Sequence, residues 1–267
     1  MGEAKRRNKG IGICVYCGSG DNLSDEHVLP YALGGNLVLK KASCESCRLT
    51  TGNLEQKLLR GHWWPQRYRT GLQSRTKHKE RSPIGVTIVQ ENGIEISAHL
   101  PLEEQTVFME FGMAAPSILK GRTTEGEPFS TEPTMRFLGK YPNSYFVGDQ
   151  RHWLKSKEQI RLPIDFSAVE LTRFLAKVAH CYALSKRGLG CCSEFFLPKI
   201  VLGHTDGAST YVGGASSEVI GKRLPGNELH ALMDRRNGDF LTIYIQLFRL
   251  IGDPPPIYEV VVGRIRQ

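Results

Sequence analysis

The 267-residue chain has no apolar run long enough to cross a bilayer. Its longest apolar-rich stretch, Phe240 to Ile251, is interrupted by Thr242, Gln246 and Arg249, whereas a spanning helix needs roughly 20 apolar residues. The first residues, Met1-Gly-Glu-Ala-Lys-Arg-Arg-Asn-Lys9, lack the apolar core of a secretory signal. A cytoplasmic protein with no membrane association is therefore expected. No internal repeat is visible. With 40% apolar and 23% charged residues the composition excludes wholesale disorder, and the length suits two domains.

Acidic residues are scarce in the first third. Residues 1–80 hold 14 Lys/Arg against 7 Asp/Glu, while residues 81–267 are nearly balanced at 21 against 20. Almost the whole formal charge of +8 thus sits at one end, where it favours a polyanion, because each neutralised phosphate releases counterions. Large apolar side chains are also sparse in residues 11–60, so that segment needs another source of stability.

Cysteine supplies it. Of seven cysteines, four form two Cys-x-x-Cys pairs, Cys14/Cys17 and Cys44/Cys47, with 26 residues between the pairs. In a reducing compartment paired knuckles read as a metal site rather than disulfides. Four thiolates close a tetrahedral zinc shell with no open position, the mark of a structural site. Such a site contributes on the order of 10 kcal/mol to folding a small segment. Cys181, Cys191 and Cys192 follow no ligand pattern.

Between the knuckles lie Asp25-Glu-His27-Val-Leu-Pro30 and Gly34-Gly-Asn36-Leu, and the second knuckle opens what reads as a helix. This succession resembles the HNH endonuclease family, in particular its zinc-containing branch, over about residues 13–60. The resemblance implies a ββα-metal fold and hydrolysis of phosphodiester bonds in DNA with a divalent metal. It assigns the general base to His27 and the bracing asparagine of the hairpin loop to Asn36. It gives a catalytic metal ligand at Glu26, whose hard oxygen suits Mg²⁺ or Mn²⁺. The family's further ligand, a His or Asn at the start of the helix, is replaced here by Arg48, which cannot ligate a cation. Asn53 is then the substitute ligand, and Arg48 joins Lys40, Lys41 and Arg60 as contacts to nucleic acid, with double-stranded DNA the expected partner. The alternatives are a degenerate zinc-ribbon adaptor that binds nucleic acid without cutting it, or a zinc-stabilised protein-interaction module.

The remainder carries structure more legibly than chemistry. Residues 1–10 read as a basic flexible tail and 11–60 as the zinc module. Residues 61–84 read as a basic linker, in which Arg67, Arg69, Arg75, Lys77 and Lys79 alternate with Trp63, Trp64 and Tyr68. Residues 85–267 read as a separate α+β domain. There, Val86–Val89 and Ile94–Ala98 flank an Asn-Gly turn and predict a β-hairpin. Residues 105–112 and 143–148 suit further short strands. Apolar spacing predicts a long helix over Asp165–Lys186. Two antiparallel strands, Leu241–Leu250 and Ile257–Gly263, should flank a proline-rich loop. His180 and Cys181 fall inside the predicted helix as core residues. The fold class expected is α+β, a small ββα zinc module followed by a β-rich domain with one long helix. Residues 85–267 are also the part able to hold a protein partner or a second copy.

Overall fold

The computed structural model describes residues 10–61, 63–72, 84–101, 108–121, 134–138, 142–161, 167–205, 207–215, 223–249 and 255–266. The expected tail at 1–9 and the basic positions Arg75, Lys77 and Lys79 lie outside the described residues, as do the side chains of Tyr68 and Arg69. The architecture is mixed α and β, with a ββα unit at the N-terminal end and a β-rich remainder. Among the described residues no helix is long and apolar enough to cross a membrane.

The N-terminal unit consists of strands β1 (Ser24–His27) and β2 (Val38–Ser43), paired antiparallel, followed by helix α1 (Glu45–Arg60). Helix α1 follows from its ends. Cys44 precedes it in an extended conformation, Glu45 sits in the first turn, and Lys57 and Arg60 sit in the last, matching the helix dipole at each end. Gly52 does not interrupt it. A short helix α2 (Trp64–Arg69) comes next.

Two sheets make up most of the rest. The first runs in the order β8 (Gln150–Trp153), β7 (Ser144–Val147), β4 (Glu95–Leu100), β3 (Ile84–Val89), β9 (Gln159–Arg161). Its β3–β4 pair is the hairpin predicted around Asn92-Gly93. A separate pair joins β5 (Phe108–Gly112) to β6 (Thr134–Leu138).

The second sheet runs β10 (Cys192–Phe195), β14 (Tyr258–Ile265), β13 (Phe240–Gln246), β12 (Ala231–Asn237), with β11 (Val212–Gly214) also pairing to β14. Strands β13 and β14 are the predicted antiparallel pair. The β12–β13 hairpin was not anticipated, although Asn237-Gly238 announces it. Asn237 pairs with Phe240, so the loop is two residues long. Gly238 takes φ 58° at its first position, as a type II′ turn requires.

Helix α3 (Ala168–Arg187) lies at the centre. Ser167 caps it by accepting from the Glu170 amide at 3.2 Å, the first half of a Ser-x-x-Glu start. Lys186, Arg187 and Gly188 close it. A helix on a surface buries one stripe, but α3 is buried over most of its circumference, from Leu171 through Leu184. The reason is that two structures claim it. One flank packs on β13 and β14, and the other packs on the N-terminal unit, so that Val15, Leu33, Leu58 and Trp63 share one continuous core with Phe174, Val178 and Val260. A short helix α4 (Pro198–Leu202) follows it.

Trp63 is part of that junction. It is 3% exposed and meets Phe174 edge-on, with ring centroids 4.8 Å apart. The indole is thus a packing residue and takes no part in base stacking. Arg67 is likewise buried. Its guanidinium donates to the carbonyls of Ala32, at 2.8 Å, and Leu59, at 3.1 Å, so that it ties the loop after β1 to the end of α1 rather than reaching for phosphate.

Candidate metal centre and histidine hairpin

The first knuckle is a tight turn. The Cys14 amide donates to the Ser19 carbonyl at 2.7 Å and the Gly18 amide returns to the Cys14 carbonyl at 2.9 Å. Val15 is stitched to β2 through the Ala42 carbonyl at 2.8 Å. The second knuckle is made by the start of α1: Cys44 stands at the N-cap and Cys47 in the first turn. Because β2 runs directly into α1, the two knuckles meet.

All four sulfurs lie within 4.8 Å of one another, and Cys17 Sγ is 3.6 Å from Cys44 Sγ. Zinc bound at about 2.3 Å to four sulfurs at tetrahedral angles sets them about 3.8 Å apart, so the four cysteines fit zinc. Burial alone would raise the Cys14 thiol, but backbone hydrogen bonds at Cys44, Cys17 and Tyr16 outweigh it and hold the thiol down to about 7. Cys17 and Cys47 move the other way, upward, through burial and their hydrogen bonds to neighbouring thiols, so with no cation among them the four sulfurs share their protons unequally.

The histidine hairpin rises from this base. His27 pairs with Val38 across β1 and β2, and just beyond the strand the Val28 amide donates to the Leu37 carbonyl at 2.9 Å. Alternation along the strand separates the neighbouring acids: Glu26 is buried, whereas Asp25 is exposed and His27 partly so. Two extra residues bulge from β2 opposite Asp25, and Lys41 takes φ 50° there. Asp25 caps the bulge. It accepts from the Lys41 amide at 3.1 Å and from Lys40 Nζ at 2.6 Å, which holds its carboxyl below the usual range.

The loop from Pro30 to Gly35 returns the chain to β2. Leu33 and Gly35 amides both donate to the Pro30 carbonyl, at 2.9 and 3.1 Å. Asn36, expected as the brace, is exposed, and its side chain forms no hydrogen bond with another described residue. The bracing seen is done by the Pro30 carbonyl and by Arg67.

Along α1, Cys47, Thr51, Leu54 and Leu58 form the buried face. Asn53 and Arg60 are exposed. Arg48 closes a two-pronged ion pair on Glu45, at 2.6 and 3.0 Å, on the solvent side of the first turn. Lys41 is exposed as well. Four basic positions anticipated as nucleic-acid contacts, Lys40, Lys41, Arg48 and Arg60, are therefore all accessible, two of them lightly held by an acid.

Glu26 is 5% exposed, and its Oε1 lies 2.9 Å from Lys177 Nζ on α3. The same ammonium lies 2.8 Å from Glu55 Oε1 on α1. Burial opposes the charge on Lys177, but Glu55 and Glu26 outweigh burial and raise its pKa above the ordinary value. Glu55 is pushed the other way from an ordinary carboxylate, upward, by burial and by its neighbour Glu26, with Lys177 opposing. Sequence reasoning passed over Lys177 and Glu55. The signal for Lys177 was available: a lysine between Phe174 and Val178, inside an apolar stripe, must bring a counter-charge with it. Among the described residues the four cysteines are the one cluster of three or more His, Cys, Asp or Glu side chains spaced to hold a metal.

Compared with known protein families, residues 14–61 match the model of the HNH endonuclease family. Neither the curated proteins nor the solved structures contain a match to the chain.

Proposed function

We propose, on the premise that residues 14–61 match the HNH endonuclease family model, that the protein is an endonuclease that hydrolyses phosphodiester bonds of double-stranded DNA, with His27 as general base and Mg²⁺ or Mn²⁺ as cofactor. The observation that carries the reading is the placement of His27. It stands on a hairpin fixed to a four-cysteine base, the residue partly exposed although its Nδ1 is buried, while the adjacent acid is turned inward.

A neutral imidazole can take a proton from water as a general base. Phosphodiester hydrolysis also needs the phosphate charge neutralised and the leaving oxygen stabilised. When bound, a divalent cation supplies that stabilisation. Glu26 does not fit as its protein ligand in this arrangement, because it is engaged by Lys177 inside the core, and Asn53 is exposed on α1. No step is therefore assigned through them. Arg48 is well placed to steady a phosphate, since its planar fork suits that geometry and its hold on Glu45 is solvent-exposed. Lys41 and Arg60 would add contacts to the backbone, which position a duplex without reading its sequence.

A second reading has its own support. Arg48 replaces a ligand and Glu26 is buried, as a domain that kept the fold and DNA binding but lost cutting would have it. Plasmid relaxation and linearisation with Mg²⁺ or Mn²⁺ separates the two. Wild type should cut, and His27→Ala should lose roughly 100-fold or more in rate with binding retained. Binding by wild type without cutting in either metal would favour the adaptor. Equal cutting by both proteins would remove His27 from the mechanism.

A further inference from the structure

Lys177 is fully buried, and its Nζ faces oxygens from three places in the N-terminal domain. It donates to the backbone carbonyl of His27, and to that of Val28 at 3.3 Å. It also pairs with Glu26 Oε1 and Glu55 Oε1 at 2.9 and 2.8 Å. An ammonium has three protons, so its capacity is taken up by β1, by the residue after β1 and by α1. The lysine itself belongs to α3, 150 residues further along the chain than His27.

Such a cluster is a poor way to gain stability. Desolvating an ammonium and two carboxylates costs several kcal/mol per ion, and apolar residues of similar volume commonly serve as well or better. What an apolar residue cannot do is fix a carbonyl in direction. The carbonyl held here is that of His27, and a strand residue whose backbone is fixed has its side-chain direction fixed with it. Neighbouring contacts tie α3 to the first knuckle and to α1. His180 Nε2 donates to the Val15 carbonyl at 2.9 Å, the Tyr16 hydroxyl meets Cys181 Sγ at 3.2 Å, and Lys57 pairs with Glu170 at 2.6 Å.

We propose that Lys177 is the positioning residue of the histidine hairpin: by holding the His27 and Val28 carbonyls against α3, with Glu26 and Glu55 as its counter-charges, it aims the His27 imidazole outward at the phosphodiester. This inference rests on the reading of His27 as general base. The HNH domain and the α3 region then form one working unit, in which the aim of the base is set by a residue the family match does not reach. Lys177 touches no substrate and acts through His27.

The test uses the full chain loaded with zinc. Lys177→Met removes the donor but strands two carboxylates, so a triple variant, Glu26→Gln with Glu55→Gln and Lys177→Met, removes the donor and both acids together. In the triple variant the melting temperature should return to within a few degrees of wild type, while kcat for plasmid cutting stays at least tenfold down and KM moves by less than twofold. The amide of Val28 should exchange with solvent at least tenfold faster. Recovery of kcat along with stability would overturn the proposal, because Lys177 would then be a matter of stability alone. If wild type does not cut at all, the nuclease reading fails, and the exchange rate at Val28 still decides the inference: an unchanged rate overturns it, and a faster rate in a stable variant supports it.

Discussion

At Gly35 a methyl group added to the α-carbon would lie 2.0 Å from the Leu29 carbonyl oxygen and 2.6 Å from its carbon. These are backbone atoms and cannot swing aside, so Gly35→Ala must move the loop that carries β1 into β2. A loss on the order of 2–3 kcal/mol is expected, read as a lower melting temperature, together with weaker cutting. Gly52 is the opposite case. It lies inside α1, with nothing within 4 Å of an added methyl group, so Gly52→Ala should stabilise by about 0.8–1 kcal/mol in the same melting experiment. Two glycines of one domain thus call for opposite responses, and the cause is local: one is there for close approach, the other costs helix propensity.

The elements around the cysteines depend on one another more than on a core of their own. Val15 bonds to β2, β2 runs into Cys44, and Cys44 opens α1. With two of the four sulfurs solvent-accessible or nearly so, stripping zinc with a strong chelator should release the first knuckle and fray β1, β2 and the start of α1. Metal analysis of the native protein should find one zinc per chain, and Cys44→Ser should lose it. Hydrogen exchange should then rise across residues 14–48 while β12–β14 keep their protection. Uniform loss of protection over the whole chain would mean instead that the two regions unfold as one, which the shared core around α3 makes the informative alternative.

At the scale of the whole molecule, two buried histidines link that shared core to pH. Burial lowers His180 to about 4 against the weaker opposing effect of its bond to Val15, and burial likewise lowers His230 to about 4, opposed by a bond at Leu33. Both stand where the C-terminal region touches the N-terminal domain. A histidine with a depressed folded pKa binds its proton more readily when unfolded, at an ordinary pKa of about 6.5. Stability is therefore complete above about pH 6.5 and falls as pH drops toward 4, by at most roughly 3 kcal/mol for each group. Melting curves from pH 8 to pH 4 should show this acid limb, and His180→Gln should make it shallower. A melting temperature constant over that range would remove both groups from the account.

The cysteine spacing, the run from Asp25 to Pro30 and the Gly-Gly-Asn before Leu37 made the zinc module and the His27 hairpin legible from residue order alone, because ligand spacing and strand alternation are local properties of a chain. The β3–β4 hairpin and the body of α3 were legible for the same reason, and Asn237-Gly238 marks the β12–β13 hairpin in the same local way. What residue order left open was which charges meet. Glu26 reads as a ligand for a catalytic metal until α3 delivers Lys177 to it, and Arg67 reads as part of a basic linker until the fold buries it at the junction beside Trp63. Those pairings join positions far apart in the chain, and burial decides their meaning: an ammonium out of water must find oxygens, and here it finds them on the strand that carries the histidine.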